Sequence, residues 1–482
     1  MIKQDFITRT RELLKDEYDA LEAALMQQPP VSIRLNPLKT SDALQPFDDS
    51  FQSENVAWCK AGRYLAARPS FTLDPLFHAG VYYVQEAASM FLEQALSAAD
   101  MNRDRIVALD LCAAPGGKST HLQTLLPQGS LLVCNELVRS RSVILAENMA
   151  KWGGADNIVT CAEPALFGEC TNLFDVVLAD LPCSGEGMFR KNPDSCNEWS
   201  ADNVNMCANR QRRIIRDVWN SLKPGGWLIY STCTYNTAEN EDNVALLAKE
   251  LGAEIVAIPV NREWNISGSL GCDMPAYRFF PHRTKGEGFF LALLRKNSGY
   301  YKESGFKNKV FKPFPATQKI RGLLGEPEKF VFLNNNSANL YAVPERHEGV
   351  YSYLSKSINI VSWGVYLGAL KGADLIPSAS LAMNAAFRRA SFPSAELTLE
   401  DAIKYLRKEA IELPADMPLG HILVTYKNVP LGFVKNLQNR SNNLYPTEWR
   451  IRNKLKVKNE QWTRNNLQLT IDNDFVATVL RI

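Results

Sequence analysis

Residues 109–120 read LDLCAAPGGKST, and how this stretch is read decides the fold. An apolar strand, IVALDLC (106–112), runs into small residues and the adjacent Gly116 and Gly117, and a helical pattern, KSTHLQTLL (118–126), follows at once. So small a turn lets the backbone approach a bound ligand where an ordinary side chain would intrude. Outward from it the same grammar repeats. Strand SLLVCNE (130–136), helix RSVILAENMAKWG (141–153) and strands NIVTCA (157–162) and FDVVLADLP (174–182) follow. A long helix ending DVWNSLK then leads through PGG to strand WLIYSTC (227–233) and helix AENEDNVALLAKEL (238–251). Short apolar strands alternating with long helices predict an α/β, doubly wound parallel sheet. FFPHRTKGEGFFLALLRK (279–296) predicts a closing hairpin with an antiparallel strand.

The turn is neither GxGxxG nor GxxxxGK[ST], because Lys118 follows Gly116 too closely. A nucleoside cofactor lacking a pyrophosphate therefore suits it better than a dinucleotide, and S-adenosylmethionine is such a cofactor. About twenty residues on, Glu136 ends its strand where an acid binds ribose hydroxyls. A structural turn with an incidental acid is the competing reading.

Cys183, in ADLPCSGEG, and Cys233, in YSTCTYN, each follow a strand. Cys233 lies between Thr232 and Thr234, whereas a structural cysteine usually has apolar neighbours. If their strands are adjacent, both thiols emerge at the carboxyl edge beside the cofactor. A thiolate is a strong nucleophile, and cytosine offers it an electron-poor C6. Addition makes C5 carbanion-like and able to accept a methyl group, while Asp180 is placed to hydrogen-bond the N3 side of the ring. Two buried, inert thiols remain the alternative.

At 482 residues the chain has room for several domains, and 46% hydrophobic and 22% charged residues suit a globular protein. No stretch approaches the roughly twenty apolar residues of a membrane span, and the start lacks a signal-peptide centre, so a cytoplasmic location without membrane partners is expected. Ten cysteines without a CxxC pair, and five scattered histidines, argue for reduced thiols and no metal. The net charge of +2 is nearly neutral, yet basic residues gather at 190–194, 209–216, 307–312 and 449–458. That distribution suits an anionic partner, or a set of solvated faces.

Three motifs in order, LDLCAAPGGKST, ADLPCSGEGMFRK and YSTCTYNTAENEDNV, together with VSIRLNPLK (31–39) and HAGVYYVQEAASM (78–90), closely resemble the RNA (cytosine-5)-methyltransferases of the Fmu/Sun/NSUN family. The C-terminal extension resembles that of members acting on bacterial ribosomal RNA. The resemblance implies a Rossmann-like methyltransferase core at 76–297, a small N-terminal α/β RNA-binding module at 1–75, a linker at 298–330, an accessory region at 331–400 and a PUA-like RNA-binding domain at 401–482. It implies Cys233 as nucleophile and Cys183 as the group assisting release of the methylated base, which spacing alone leaves open. Cys112, Ala113, Ala114, Pro115, Gly116, Gly117 and Lys118 would line the S-adenosylmethionine site, Glu136 would hold the ribose, and Asp180 would sit between cofactor and base. Glu163 falls where the family often has Asp near the adenine. The implied partner is RNA, 16S ribosomal RNA or the small subunit, met by a monomer; the same chemistry on transfer RNA is the alternative.

A cytosine must leave its stack to meet a thiolate. Arg34, Asn36, Arg212 and Arg213 are expected to contact the RNA, and Phe189 and Arg190 to line the base pocket. A Rossmann oxidoreductase is disfavoured by the missing pyrophosphate motif, and a non-catalytic RNA-binding assembly factor by the intact thiols and Asp180.

Overall fold

Strand β1 (Val107–Asp110) lies inside a nine-stranded sheet. In chain order follow β2 (Leu131–Asn135), β3 (Asn157–Thr160), β4 (Phe174–Asp180), β5 (Leu222–Thr232), β6 (Ala253–Val256), β7 (Ala276–Phe279), β8 (Phe289–Lys296) and β9 (Ile360–Trp363). The computed structural model describes residues 2–40, 53–99, 105–297, 312–334, 338–372 and 374–452. Across the sheet the order is β6, β8, β5, β4, β1, β2, β3, β9, with β7 paired to β8. Strands β1 to β5 run parallel. The others lie antiparallel to their neighbours, and β7 and β8 form the expected hairpin.

Consecutive strand residues point to opposite faces, so a sheet covered on both sides needs apolar residues at every position. Leu109, Val133, Val177, Ala179 and Tyr230 fill one core against Ile214, Ile215 and Val218 of helix Ala201–Val218. Their neighbours Ala108, Leu132, Val176, Leu178 and Ile229 fill the other, against Leu92, Leu145 and Met149. The uninterrupted apolar runs of the sequence are thus two alternating sets, each serving its own layer.

The N-terminal helical pattern is interrupted: helices Gln4–Leu14 and Tyr18–Leu25 are separated by a 3-10 turn, with Lys15 at φ +52°. The break brings Glu17 to His282 and Arg283 in the β7–β8 connection. Four strands, Val31–Leu35, Ser53–Asn55, Gly62–Leu65 and Tyr82–Val84, form an antiparallel sheet.

Beyond residue 297 the chain returns to the central sheet. Strand β9 pairs with β3, and Leu333, Val343, Tyr351, Leu354 and Trp363 join the core that holds Leu109. Of the linker expected at 298–330, residues 298–311 lie outside the described residues; from Phe314 onward the chain packs, with Ile320, Leu323 and Leu324 forming an apolar face. The hairpin expected around YKNVP is present as Gly420–Tyr426 and Val429–Asn436, turned by Lys427 and Asn428, both with positive φ as a tight hairpin turn requires. Residues 453–482 lie outside the described residues. Among those described, no helix is long and apolar enough to cross a membrane.

One buried ion pair fastens the loop after β5 to β7. Arg278 and Glu241 are both 1% exposed; Arg278 Nε donates to Glu241 Oε1 at 2.6 Å and Nη1 to the Tyr235 carbonyl at 2.7 Å. Replacing Glu241 by Gln leaves a buried guanidinium without its counter-charge, and is expected to cost about 3–5 kcal/mol of unfolding free energy, read from the denaturant midpoint. The paired replacement Arg278→Met with Glu241→Leu should recover most of that loss.

Candidate active site

Parallel register aligns the carboxyl ends of the central strands. Asp110 of β1 stands opposite Leu178 of β4, and Asp180 opposite Ser231 of β5. The loops after β4 and β5 therefore leave the sheet side by side, and bring the two sulfur atoms of Cys183 and Cys233 to 3.0 Å. The Cys233 N–H also donates to Cys183 Sγ at 3.4 Å. The hydrogen bond to Cys233, then burial, pushes the Cys183 thiol well above its ordinary value.

Two carboxylates hold these loops together. Glu186 Oε2 accepts from the backbone N–H groups of Tyr235 and Asn236, at 2.9 and 3.0 Å. Its other oxygen accepts from Trp199 Nε1 at 2.9 Å and pairs with Arg9 at 2.9 Å. Glu239 reaches the opposite way: its Oε2 accepts from Ser184 N–H at 3.0 Å and from Gln211 Nε2 at 2.8 Å. Between them Ser184 and Thr234 share a hydroxyl hydrogen bond of 2.9 Å, and Gly187 N–H donates to the Cys233 carbonyl at 2.9 Å. A Cβ on Gly187 would lie 2.9 Å from that carbonyl and 2.5 Å from Gly288 O, so the approach excludes any side chain there.

Asp180 stands beside the thiols, half exposed, held by Ser231 Oγ at 2.8 Å and Lys118 Nζ at 2.9 Å. Burial opposes the Lys118 charge, but the attraction and hydrogen bond of Asp180 prevail and raise its pKa above the ordinary lysine value. Lys118 thereby ties the loop after β1 to the end of β4.

That loop, Cys112 to Lys118, forms a cradle. Gly116 has φ +114°, which favours glycine, and Arg141 and Asn148 on helix Arg139–Trp152 donate to the carbonyls of Ala114 and Pro115 at 3.0 and 2.7 Å. Gly117 begins the helix Gly117–Leu125. Burial pushes the Cys112 thiol up, making it a poor nucleophile. Glu136, buried after β2, accepts from Val138 N–H at 2.9 Å and faces Arg141 at 3.5 Å. Asp110 closes the cradle's floor: Oδ2 accepts from Ser119 Oγ at 2.6 Å, while Oδ1 is buried with no hydrogen-bond partner among the described residues. Burial pushes this carboxyl up to about 7; the Ser119 hydrogen bond opposes the shift and the Asp180 charge adds to it. An orphaned acidic oxygen among Lys118, Glu136 and Asp180 fits a ligand that brings positive charge.

Six residues expected at the RNA are placed differently from one another. Arg34 is buried, donating to Gln85 Oε1 at 2.7 Å and Thr120 Oγ1 at 2.6 Å; Asn36 is buried, donating to the carbonyls of Gly80 and Trp152 at 2.8 and 2.9 Å. Neither reaches a phosphate from there; both fasten the N-terminal sheet to the cofactor helix and its neighbour. Phe189 is buried against Phe6 and Trp199, and Arg190 is committed to Glu287 at 3.0 Å, so this pair shapes the loop from behind. Arg212 is half-buried on Asn243, and Arg213 is exposed. Glu163 is exposed ahead of helix Pro164–Gly168. Sequence reasoning missed Asp110, Arg141, Glu186 and Glu239; the acid flanked by glycines in SGEG was the available signal for Glu186.

Comparison with known proteins sets the chain among methyltransferases. A profile described as 16S rRNA methyltransferase RsmB/F matches residues 95–295, one for the N-terminal domain of 16S rRNA methyltransferase RsmF matches 2–87, and one for the methyltransferase RsmF PUA domain matches 392–451. Ribosomal RNA small subunit methyltransferase F of Salmonella heidelberg (strain SL476) is 29% identical over 474 residues, covering 92% of this chain and 95% of that protein. The crystal structure of a methyltransferase homolog protein from Pyrococcus horikoshii is similar with TM-score 0.53 and 28% identity, over 61% of this chain and 95% of that one. NSun6 from Pyrococcus horikoshii with SFG has TM-score 0.53 and 20% identity over 62% of this chain and 99% of its own, a likeness of fold.

Because the hydrogen bond to Cys233 is the largest influence on Cys183, removing that sulfur should lower the Cys183 pKa. In Cys233→Ala, alkylation of Cys183 by iodoacetamide, followed by peptide mass spectrometry, is expected to be several-fold faster than in the parent at equal pH. An unchanged rate would show that burial alone controls this thiol.

Proposed function

The chain belongs to the RsmB/F family of methyltransferases, and from that premise we propose that it methylates C5 of a cytosine in RNA, with 16S ribosomal RNA as substrate, through a covalent bond from Cys233 to C6. The observation that carries this reading is the pair of sulfur atoms 3.0 Å apart at the ends of two adjacent parallel strands. Methylation of an exocyclic amine has no use for two thiols at that place.

The chain's residues then divide the work. The Cys233 thiolate, its proton lost to solvent, attacks C6, and the negative charge passed into the ring is met by the Lys118 ammonium. Asp180, paired with Lys118 at 2.9 Å, accepts from the exocyclic amine and orients the ring. S-adenosylmethionine would be held along Cys112 to Lys118 with Glu136 at its ribose, and when bound would supply an electrophilic methyl group. Asp110 Oδ1 would offer a counter-charge to its cationic end. The C5 proton then passes to solvent, the C5–C6 double bond re-forms, and the Cys233 sulfur leaves as a thiolate beside Cys183 Sγ, 3.0 Å away. RNA is gripped by the PUA-type segment within 392–451 and by exposed basic residues such as Arg213.

Cys233→Ala should lower methyl transfer from labelled S-adenosylmethionine to small subunits lacking the modification by roughly a thousandfold or more, while cofactor affinity is kept. Retained turnover excludes Cys233 as nucleophile. Cys183→Ala should instead accumulate a protein–RNA adduct that survives denaturing electrophoresis. Label on transfer RNA alone would keep the chemistry and reject the substrate.

Cofactor affinity should also depend on pH. Asp110 has its carboxyl raised to about 7, so in the free protein it is largely protonated below that value and ionised above it. Binding a cation favours the ionised form, so affinity measured by calorimetry is expected to strengthen as pH rises from about 6 to about 8, with proton release on binding at the acid end. Asp110→Asn should flatten that dependence.

A further inference from the structure

Away from the two-thiol edge, Cys59, Glu93 and His121 converge on one point. Cys59 comes from the loop ahead of strand Gly62–Leu65, Glu93 from helix Leu92–Ala98, and His121 from helix Gly117–Leu125 directly behind the cofactor loop. His121 Nε2 lies 3.7 Å from Cys59 Sγ and 3.6 Å from Glu93 Oε2, and the three donor atoms all fall within 4.8 Å of one another. The sulfur and the ring nitrogen are within reach of a weak hydrogen bond, while His121 and Glu93 stand beyond the roughly 2.7–3.2 Å of an ordinary nitrogen-to-oxygen one. Both separations also approach the edge of a coordination tetrahedron. With metal–sulfur near 2.3 Å and metal–nitrogen or metal–oxygen near 2.0–2.1 Å, donors stand about 3.3–3.6 Å apart.

The geometry points to a zinc site of Cys59, Glu93 and His121 that clasps the N-terminal sheet to the cofactor helix, with water as the fourth ligand. The donor set is one that zinc favours, and the positions are sheltered: Cys59 is 2% and His121 1% exposed. The Glu93 side chain, 12% exposed, leaves a route for the ion and its water. Binding forms a metal–sulfur bond and releases the Cys59 thiol proton to solvent. Thiolate, carboxylate and dication then sum to zero. No ligand spacing marks this site in the sequence, because its donors are drawn from three separate segments.

The full chain, purified without chelator, should carry close to one zinc per molecule by elemental mass spectrometry. Cobalt(II) added to chelator-treated protein should produce thiolate-to-cobalt charge-transfer absorption in the near ultraviolet. Cys59→Ser should abolish that absorption, and Glu93→Gln and His121→Gln should each weaken cobalt binding by roughly tenfold or more. Zinc should raise the melting temperature of the parent and leave that of Cys59→Ser unchanged. Two results would overturn the site: neither zinc nor a cobalt–thiolate band in the parent, or a band that persists in Cys59→Ser and vanishes in Cys183→Ser, which places the ion on the other thiols. Should Cys59→Ser fail to fold, the cobalt affinity of Glu93→Gln decides.

Discussion

Glu186 takes backbone hydrogen bonds from the loop that carries Cys233, and Glu239 takes one from the loop that carries Cys183, so each carboxylate sits on one loop and holds the other. A buried charge is tolerated only when donors surround it, and here the donors are the two loops themselves. Glu186 has Arg9 as its cation, supplied by the first helix of the chain. Glu239 relies on neutral donors; burial pushes its carboxyl up while Ser184 and Asn236 pull it back. Moving either loop would unpair a buried carboxylate, which makes the separation of the two sulfurs costly to change.

The same economy of contacts explains Arg34. Its side chain leaves the N-terminal sheet, crosses to the Thr120 hydroxyl and the Gly117 carbonyl, and stacks over Trp152 at 4.4 Å. A cation so enclosed serves orientation: it sets the angle at which the N-terminal sheet meets the cofactor helix. The motif VSIRLN, read from its composition as a phosphate contact, is therefore a joint, and the expectation failed because a basic side chain carries no mark of whether its partner is a phosphate or a carbonyl.

Much else was legible. Strand positions followed from short apolar runs, and the thiol pair from two such runs followed by a cysteine. The Gly-rich turn announced itself through residues that only a close backbone approach requires. What could not be read were features depending on which distant segments meet. Residues 314–334 look irregular because their apolar positions face a hairpin a hundred residues away; Ile320, Leu323 and Leu324 share a core with Phe433. Phe189 and Arg190 adjoin Cys183 in sequence but face away from it, since the 3-10 turn Glu186–Met188 reverses the chain between them.

Strand β9 gives the central sheet an ending that the methyltransferase segment does not contain. It pairs with β3, and Trp363, Tyr351 and Leu354 seal the same core as β1. During synthesis from the amino terminus, β3 must therefore wait, with one edge unpaired and one layer of core unfilled, until roughly two hundred further residues have left the ribosome. Until then that edge is a template for pairing with another nascent chain. The chain thus has a vulnerable interval written into its order of elements, and a nascent-chain chaperone would find its natural client surface along β3.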